Sequence, residues 1–141
     1  MKKIIYAIAA LSLVFAACQS KTVSEETQIV DTIHHSQNSL DWAGTYAGTI
    51  PCADCEGINV RIILNSDETF ELSYQYLGKS EMPYIVSGKF TWSNDGGMII
   101  LDNGSVPSRY KVGENMLIQL DMDGNEITGD LANMYILTKV V

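Results

Sequence analysis

Positive charge is scarce in this chain. Nine Lys and Arg stand against 17 Asp and Glu, a formal net charge of −8 over 141 residues. So acidic a surface repels phosphate backbones, which excludes nucleic acid as a partner. Histidine is scarcer still, and the two that occur, His34 and His35, are adjacent in a polar stretch. No Ser-His-Asp set can then be assembled in the folded part, and the chain is expected not to be an enzyme. No glycine-rich loop of the phosphate-cradling kind is present. Apolar residues never keep up the three-and-four spacing of a long helix. The apolar run from Ile4 to Ala17 is too short to span a bilayer as a mature helix.

That run has another use. Met1-Lys2-Lys3 gives a charged start, Ile4 to Ala17 an apolar middle, and Ala16-Ala17 a small-residue cleavage zone before Cys18. The ending Phe15-Ala16-Ala17-Cys18 resembles a bacterial lipoprotein signal, with Phe15 where Leu is usual. The resemblance implies removal of residues 1–17 and a lipid anchor, palmitate included, on Cys18. Ordinary secretion with cleavage near Ala17 is the alternative. Either way the mature chain works outside the cytoplasm. Losing Lys2 and Lys3 but no acid makes the mature chain more acidic still. Gln19, not Asp, follows the lipidated position, which in enteric bacteria favours the outer membrane of a Gram-negative envelope.

Residues 18–41 read as a flexible tether. Ser, Thr, Glu, Gln and Asn dominate from Gln19 to Asp41, with too few aliphatics to fold alone. From Trp42 the pattern changes to period two, and residues 42–141 form the expected domain. Thr69-Phe70-Glu71-Leu72-Ser73-Tyr74-Gln75-Tyr76 alternates without a break, and Ile58, Val60, Ile62 and Leu64 face away from Asn59 and Arg61. Met116, Ile118 and Leu120 read as a further apolar face. Turn signals such as Asn94-Asp95-Gly96-Gly97 and Gly113-Glu114-Asn115 separate the runs. Eight strands are expected, centred near Tyr46, Val60, Leu72, Val86, Ile100, Tyr110, Ile118 and Ile136. The fold class is all-β, an eight-stranded antiparallel meander that hides its edges by closing into a barrel. An open sandwich is the other arrangement. Tyr74, Tyr76 and Tyr84 fall where they would either pack the core or line a cavity for a small apolar ligand.

Pro51-Cys52-Ala53-Asp54-Cys55-Glu56-Gly57 is the one unusual motif of the folded part, in the connection between the first two strands. With Cys18 lipidated, Cys52 and Cys55 remain as an even pair in an oxidising compartment. A structural disulfide, a metal site and a redox couple all stay open. Reduced thiols are soft ligands for copper, and Asp54 is a weaker candidate ligand. A closed zinc site wants four ligands, so His34, His35 or methionines would have to join. Asp54 and Glu56 raise thiol pKa, and no cation lies within five residues, which argues against thiol–disulfide exchange.

Gly44-Thr45-Tyr46-Ala47-Gly48-Thr49-Ile50-Pro51-Cys52-Ala53-Asp54-Cys55-Glu56-Gly57-Ile58 resembles the opening of the NlpE N-terminal domain family, the copper-resistance and envelope-stress lipoproteins. The likeness continues more loosely through Gly88-Lys89-Phe90-Thr91-Trp92 and Tyr135-Ile136-Leu137-Thr138-Lys139. It implies a lipocalin-like barrel, a single-domain member of the family, and a stress-response role without catalysis. It also carries the motif's cysteine pair onto Cys52 and Cys55, as a metal or redox site with copper the implied metal. The implied partners are the membrane, through the anchor, and an envelope protein. The alternatives are a lipocalin-like carrier of a small apolar ligand and a thiol–disulfide exchange protein.

Overall fold

The computed structural model describes residues 34–102, 104 and 108–141. The expected signal peptide, Cys18 and the tether through residue 33 lie outside the described residues. Period-two patterning dictates eight strands: β1 (Gly44–Ile50), β2 (Ile58–Leu64), β3 (Thr69–Tyr76), β4 (Tyr84–Trp92), β5 (Met98–Leu101), β6 (Arg109–Gly113), β7 (Met116–Gln119) and β8 (Ile136–Val140). All eight expected centres fall inside them. Each strand pairs antiparallel with the next, and β8 returns to β1, so the sheet closes into a barrel. Closure consumes both edges, and the sandwich is excluded.

Alternation sends one face of each strand inward. Val60, Ile62 and Leu64 are buried while Asn59 and Arg61 are exposed. Tyr46, Phe70, Leu72, Phe90, Tyr110, Leu117 and Leu137 are all essentially inaccessible and fill the barrel with the chain's own side chains. An apolar ligand held on the barrel axis finds that space taken.

One facing differs from expectation. Met116 and Ile118 do not form the inward face of β7, while Leu120, just past its end, is buried as expected. Leu117 and Gln119 are buried instead, opposite Val112 and Tyr110, with Met116 and Ile118 only partly covered. Three apolar residues in succession carry no alternation, so the face is chosen by pairing rather than by pattern.

The closing seam explains the first half of the Gly-Thr-Tyr-Ala-Gly motif. Thr45, Tyr46 and Ala47 pair with Val140, Lys139 and Thr138. A Cβ on Gly48 would stand 2.9 Å from Leu137 Cδ2 and 3.1 Å from the Ile136 carbonyl. A Cβ on Gly44 would stand 2.6 Å from Lys139 Cε. Gly48 makes room for β8, Gly44 supplies a positive φ of +144° at the strand's start, and Tyr46 between them anchors the seam.

The tether was expected to run to Asp41, and here the structure differs. Ser36–Ser39 is a single helical turn, α1, seated on the barrel. Ser36 Oγ donates to the Val112 carbonyl at 2.8 Å, and Gln37 N–H to Gly96 at 3.1 Å. Trp42 Nε1 donates to the Gln37 carbonyl at 2.9 Å, and the Trp42 ring packs edge-on against Phe90 and Trp92. Lys139 Nζ donates to the Asp41 carbonyl at 2.6 Å and pairs with its carboxylate at 3.0 Å. Residues 34–43 therefore close one barrel end, which also carries the β2–β3, β4–β5 and β6–β7 turns. The opposite end carries the connections 51–57, 77–83 and 120–135.

Two outcomes test this end cap. Trp42→Ala should cost about 3 kcal/mol in urea unfolding, because a packed indole is lost; a negligible loss would return residues 34–41 to the tether. Tyr46 OH donates to the Trp42 carbonyl at 2.7 Å, and burial, then the Asp41 charge, pushes its phenol up to about 12. A folded value above the unfolded 10.0 means this stabilisation is whole below pH 10 and is lost as pH rises toward 12. Tyr46→Phe should cost about 1 kcal/mol at neutral pH and make the alkaline decline shallower. An unaltered slope in urea melts at alkaline pH would contradict it.

Candidate functional site: the cysteine corner

The 51–57 connection leaves β1 at buried Ile50 and returns into β2 at Ile58. Cys52 and Cys55 are joined as a disulfide, with Cα atoms 5.3 Å apart. Of the readings open in the sequence, the disulfide is the state observed. Both sulfurs are partly exposed, and Ala53, Asp54 and Glu56 stand in solvent.

Gly57 shows why the motif ends in glycine. Its φ is +152°, and a Cβ there would meet Thr49 Cγ2 at 2.8 Å. Its carbonyl accepts from Leu77 N–H at 2.9 Å, and Glu56 N–H reaches the Leu77 carbonyl at 3.4 Å. The corner is thus tied by backbone to the 77–83 connection. That connection is itself pinned, with Gln75 Nε2 donating to the carbonyls of Ser80 and Glu81 at 2.9 and 3.1 Å.

The pinning delivers a cation. Lys79 forms an ion pair with Asp54, and that contact holds the Asp54 carboxyl below the usual range, the hydrogen bond first and the charge second. The expectation of a corner without positive charge is corrected: Lys79 arrives from 25 residues away. Both groups are largely in solvent, so the pair orients the loop more than it stabilises it.

Cys52, Asp54 and Cys55 place their ligand atoms within 4.8 Å of one another. While the disulfide is closed, neither sulfur is a thiolate and the trio is not a metal site. Reduced, it would present two soft thiolates beside a carboxylate, a donor set suited to Cu(I). The histidines do not join it. His35 lies against Gly96 at the opposite barrel end. Met98 and Met116 also begin strands at that far end, and Met134 sits on the short 3-10 turn Ala132–Tyr135 rather than in a strand.

The three tyrosines form a cluster at the cysteine-bearing end. Tyr74 stacks on Tyr84 with centroids 5.5 Å apart, and Tyr76 meets both edge-on. Tyr84 is 55% exposed, so the cluster rims the barrel rather than filling its core. The acidic Asp121–Glu126 stretch is a self-satisfied turn. Asp121 Oδ1 accepts from Asp123 and Asn125 N–H at 2.9 and 2.8 Å.

The NlpE N-terminal domain family model matches residues 46–130. Lipoprotein NlpE of Escherichia coli K12 is 31% identical over 130 residues, which are 89% of this chain and 52% of that protein. The chain thus spans about half the length of that relative. Among solved structures, a candidate lipoprotein of Shewanella oneidensis superposes with a TM-score of 0.69 at 52% identity, covering 74% of this chain and 94% of that one. The Cpx pathway activator NlpE of Escherichia coli gives 0.52 at 28% identity, covering 62% of this chain and 46% of that one.

Closing a ring that spans only three residues of separation removes little chain entropy from the unfolded state, so opening it returns little. Cys52→Ser with Cys55→Ser should cost no more than about 2 kcal/mol. Gly57→Ala should cost about 1–3 kcal/mol, through backbone strain. Urea melts of both variants check this, and global unfolding of the double serine variant would make the disulfide essential to the fold.

Proposed function

The chain belongs to the NlpE N-terminal domain family, and from that membership we propose that it is a non-enzymatic, lipid-anchored envelope protein. Its anchor is Cys18, its location the outer membrane of a Gram-negative bacterium. Its task is to report on copper or oxidation through the Cys52–Cys55 pair. The observation that carries this reading is a partly exposed disulfide in a very small ring, on a barrel whose core and seam do not use it.

The chemistry is a two-state corner. A thiol reductant opens the disulfide by giving two electrons and two protons, and leaves as its own disulfide. The freed thiols, once deprotonated, would hold Cu(I) beside Asp54. An oxidant or copper loss favours the closed form. In each state the backbone ties to Leu77 remain, so the change stays on the corner, where an envelope protein partner reads it. The lumen-carrier alternative is weakened by the filled barrel. Thiol exchange needs a strongly depressed thiol pKa, and Lys79, the cation brought to the corner, is already engaged by Asp54.

The reduced protein should bind one Cu(I) in competition with a chromophoric chelator, and the oxidised protein none. Replacing both cysteines by serine should weaken binding at least a hundredfold; unchanged affinity removes the copper reading. The anchor is checked separately by intact mass of protein from membranes. The expected mass corresponds to a chain starting at Cys18 with acyl chains attached, and an unmodified secreted chain would overturn that part.

A further inference from the structure

One strand of the barrel outruns its neighbour. β4 pairs with β3 from Tyr84 to Lys89, but with β5 only at Phe90, Thr91 and Trp92. Hydrogen bonds fix which backbone groups face which side. Phe90 N–H donates to the Glu68 carbonyl at 2.9 Å, so Phe90 and every second residue before it turn their backbone groups toward the β3 side. Lys89, Ser87 and Ile85 turn theirs the other way. The Lys89 carbonyl accepts from Asp102 N–H at 2.8 Å, and there the pairing on the β5 side stops. The same register would bring Gly104 opposite Ser87, but Gly104 has a φ of +69° and makes no hydrogen bond to it. The N–H and C=O groups of Ile85 and Ser87 are thus without a protein partner among the described residues.

The overhang is uncovered. Ile85 is 60% exposed, and Met82, just upstream, 76%. Val86 lies on the inward register opposite buried Leu72 and is still only partly covered. Folded proteins blunt such an edge with proline or charge. Here Pro83 and Lys89 flank it, while Tyr84-Ile85-Val86-Ser87 between them carries no charge and is rich in strand formers. Open backbone groups at strand spacing, with apolar side chains beside them, select an extended polypeptide rather than a lipid or a sugar.

Charge selects which polypeptide. Glu71, Glu81 and Asp102 stand exposed around the overhang. Lys89 is the cation on the strand itself, and Lys79 in the adjoining connection is engaged by Asp54. A second copy of the chain would bring another net −8, and the chain's own leading segment brings Glu25, Glu26 and Asp31 against Lys21. Both are disfavoured against a basic segment.

We propose that the Tyr84–Ser87 edge of β4 docks an extended, basic segment of another protein, which adds to the sheet as a strand. Its backbone bonds to the N–H and C=O of Ile85 and Ser87. Its apolar side chains cover Met82, Tyr84 and Ile85, and its Lys or Arg side chains face the surrounding acids. This surface stands independently of the copper chemistry.

The purified full-length protein, labelled with nitrogen-15, would be titrated with the peptide acetyl-Lys-Val-Thr-Val-Lys-Val-Thr-Lys-amide. Controls are the same peptide with every Lys replaced by Glu, and the same peptide methylated at every central amide nitrogen. Saturable shifts are expected at Ile85, Val86 and Ser87, and the Ile85 and Ser87 amide protons should exchange with solvent about tenfold more slowly in the complex. Both control peptides should bind about tenfold more weakly, the Glu peptide through charge and the methylated one through lost backbone bonds. Ile85→Lys should weaken the basic peptide about tenfold at an unchanged melting temperature, because that side chain is exposed. Ser87→Pro, which removes an edge-facing N–H, should weaken it as much. The proposal is overturned by no saturable shift from Ile85 to Ser87, by unslowed exchange of both amides in the complex, or by equal binding of either control. Shifts at these residues on concentrating the protein alone would make a second copy the occupant and overturn it too. Cys52→Ser with Cys55→Ser should leave the titration unchanged, which keeps a failure here apart from a failure of the copper reading.

Discussion

Pairing of β1 with β8 is the constraint on which the rest depends. Only three residue pairs make that seam, yet they turn an open meander into a closed ring of strands. The seam needs the absence of a side chain at Gly48, which yields to Leu137 and the Ile136 carbonyl, while Gly44 enters the strand at a positive φ of +144°. With β8 in place, Lys139 reaches Asp41, and the segment before β1 is drawn over the barrel end. Tyr46 ties the two together, inaccessible between the glycines and bonded to the Trp42 carbonyl. The family's opening motif is therefore two devices in one stretch. Its first half closes the sheet, and its second half builds a corner that closure leaves free.

That division matters for signalling chemistry. A group meant to change state must not carry the fold, or each change would be an unfolding event. The disulfide spans a minimal ring, its flanking backbone is held by Leu77, and the core beneath is complete without it. The cavity bordered by the start of β6, the end of β7 and the 120–135 connection likewise shares no residue with the corner.

Strands were legible because a half-buried strand writes its own alternation. The run Thr69 to Tyr76 could be read directly, and the cysteine pair stood out by residue type. Three things were not legible, each for a physical reason. The α1 cap is written in Ser-Gln-Asn-Ser, which has no apolar period; backbone hydrogen bonds and Trp42 hold it. Lys79 reaches Asp54 only because two connections emerge at one end, a long-range fact that local charge counting misses. Gln119 was hidden because Met116-Leu117-Ile118 reads equally well in either facing, so the inward polar residue looked outward.

The entry point of the chain gives the barrel a direction. Residues 34–43 sit on the pole opposite the cysteine loop and the tyrosine rim. A leash fastened upstream of residue 34 would therefore pull on the chemically quiet pole. The reactive pole would then look outward into the surrounding fluid, presented like a lantern on its post, reachable by solutes and neighbours without the leash in the way.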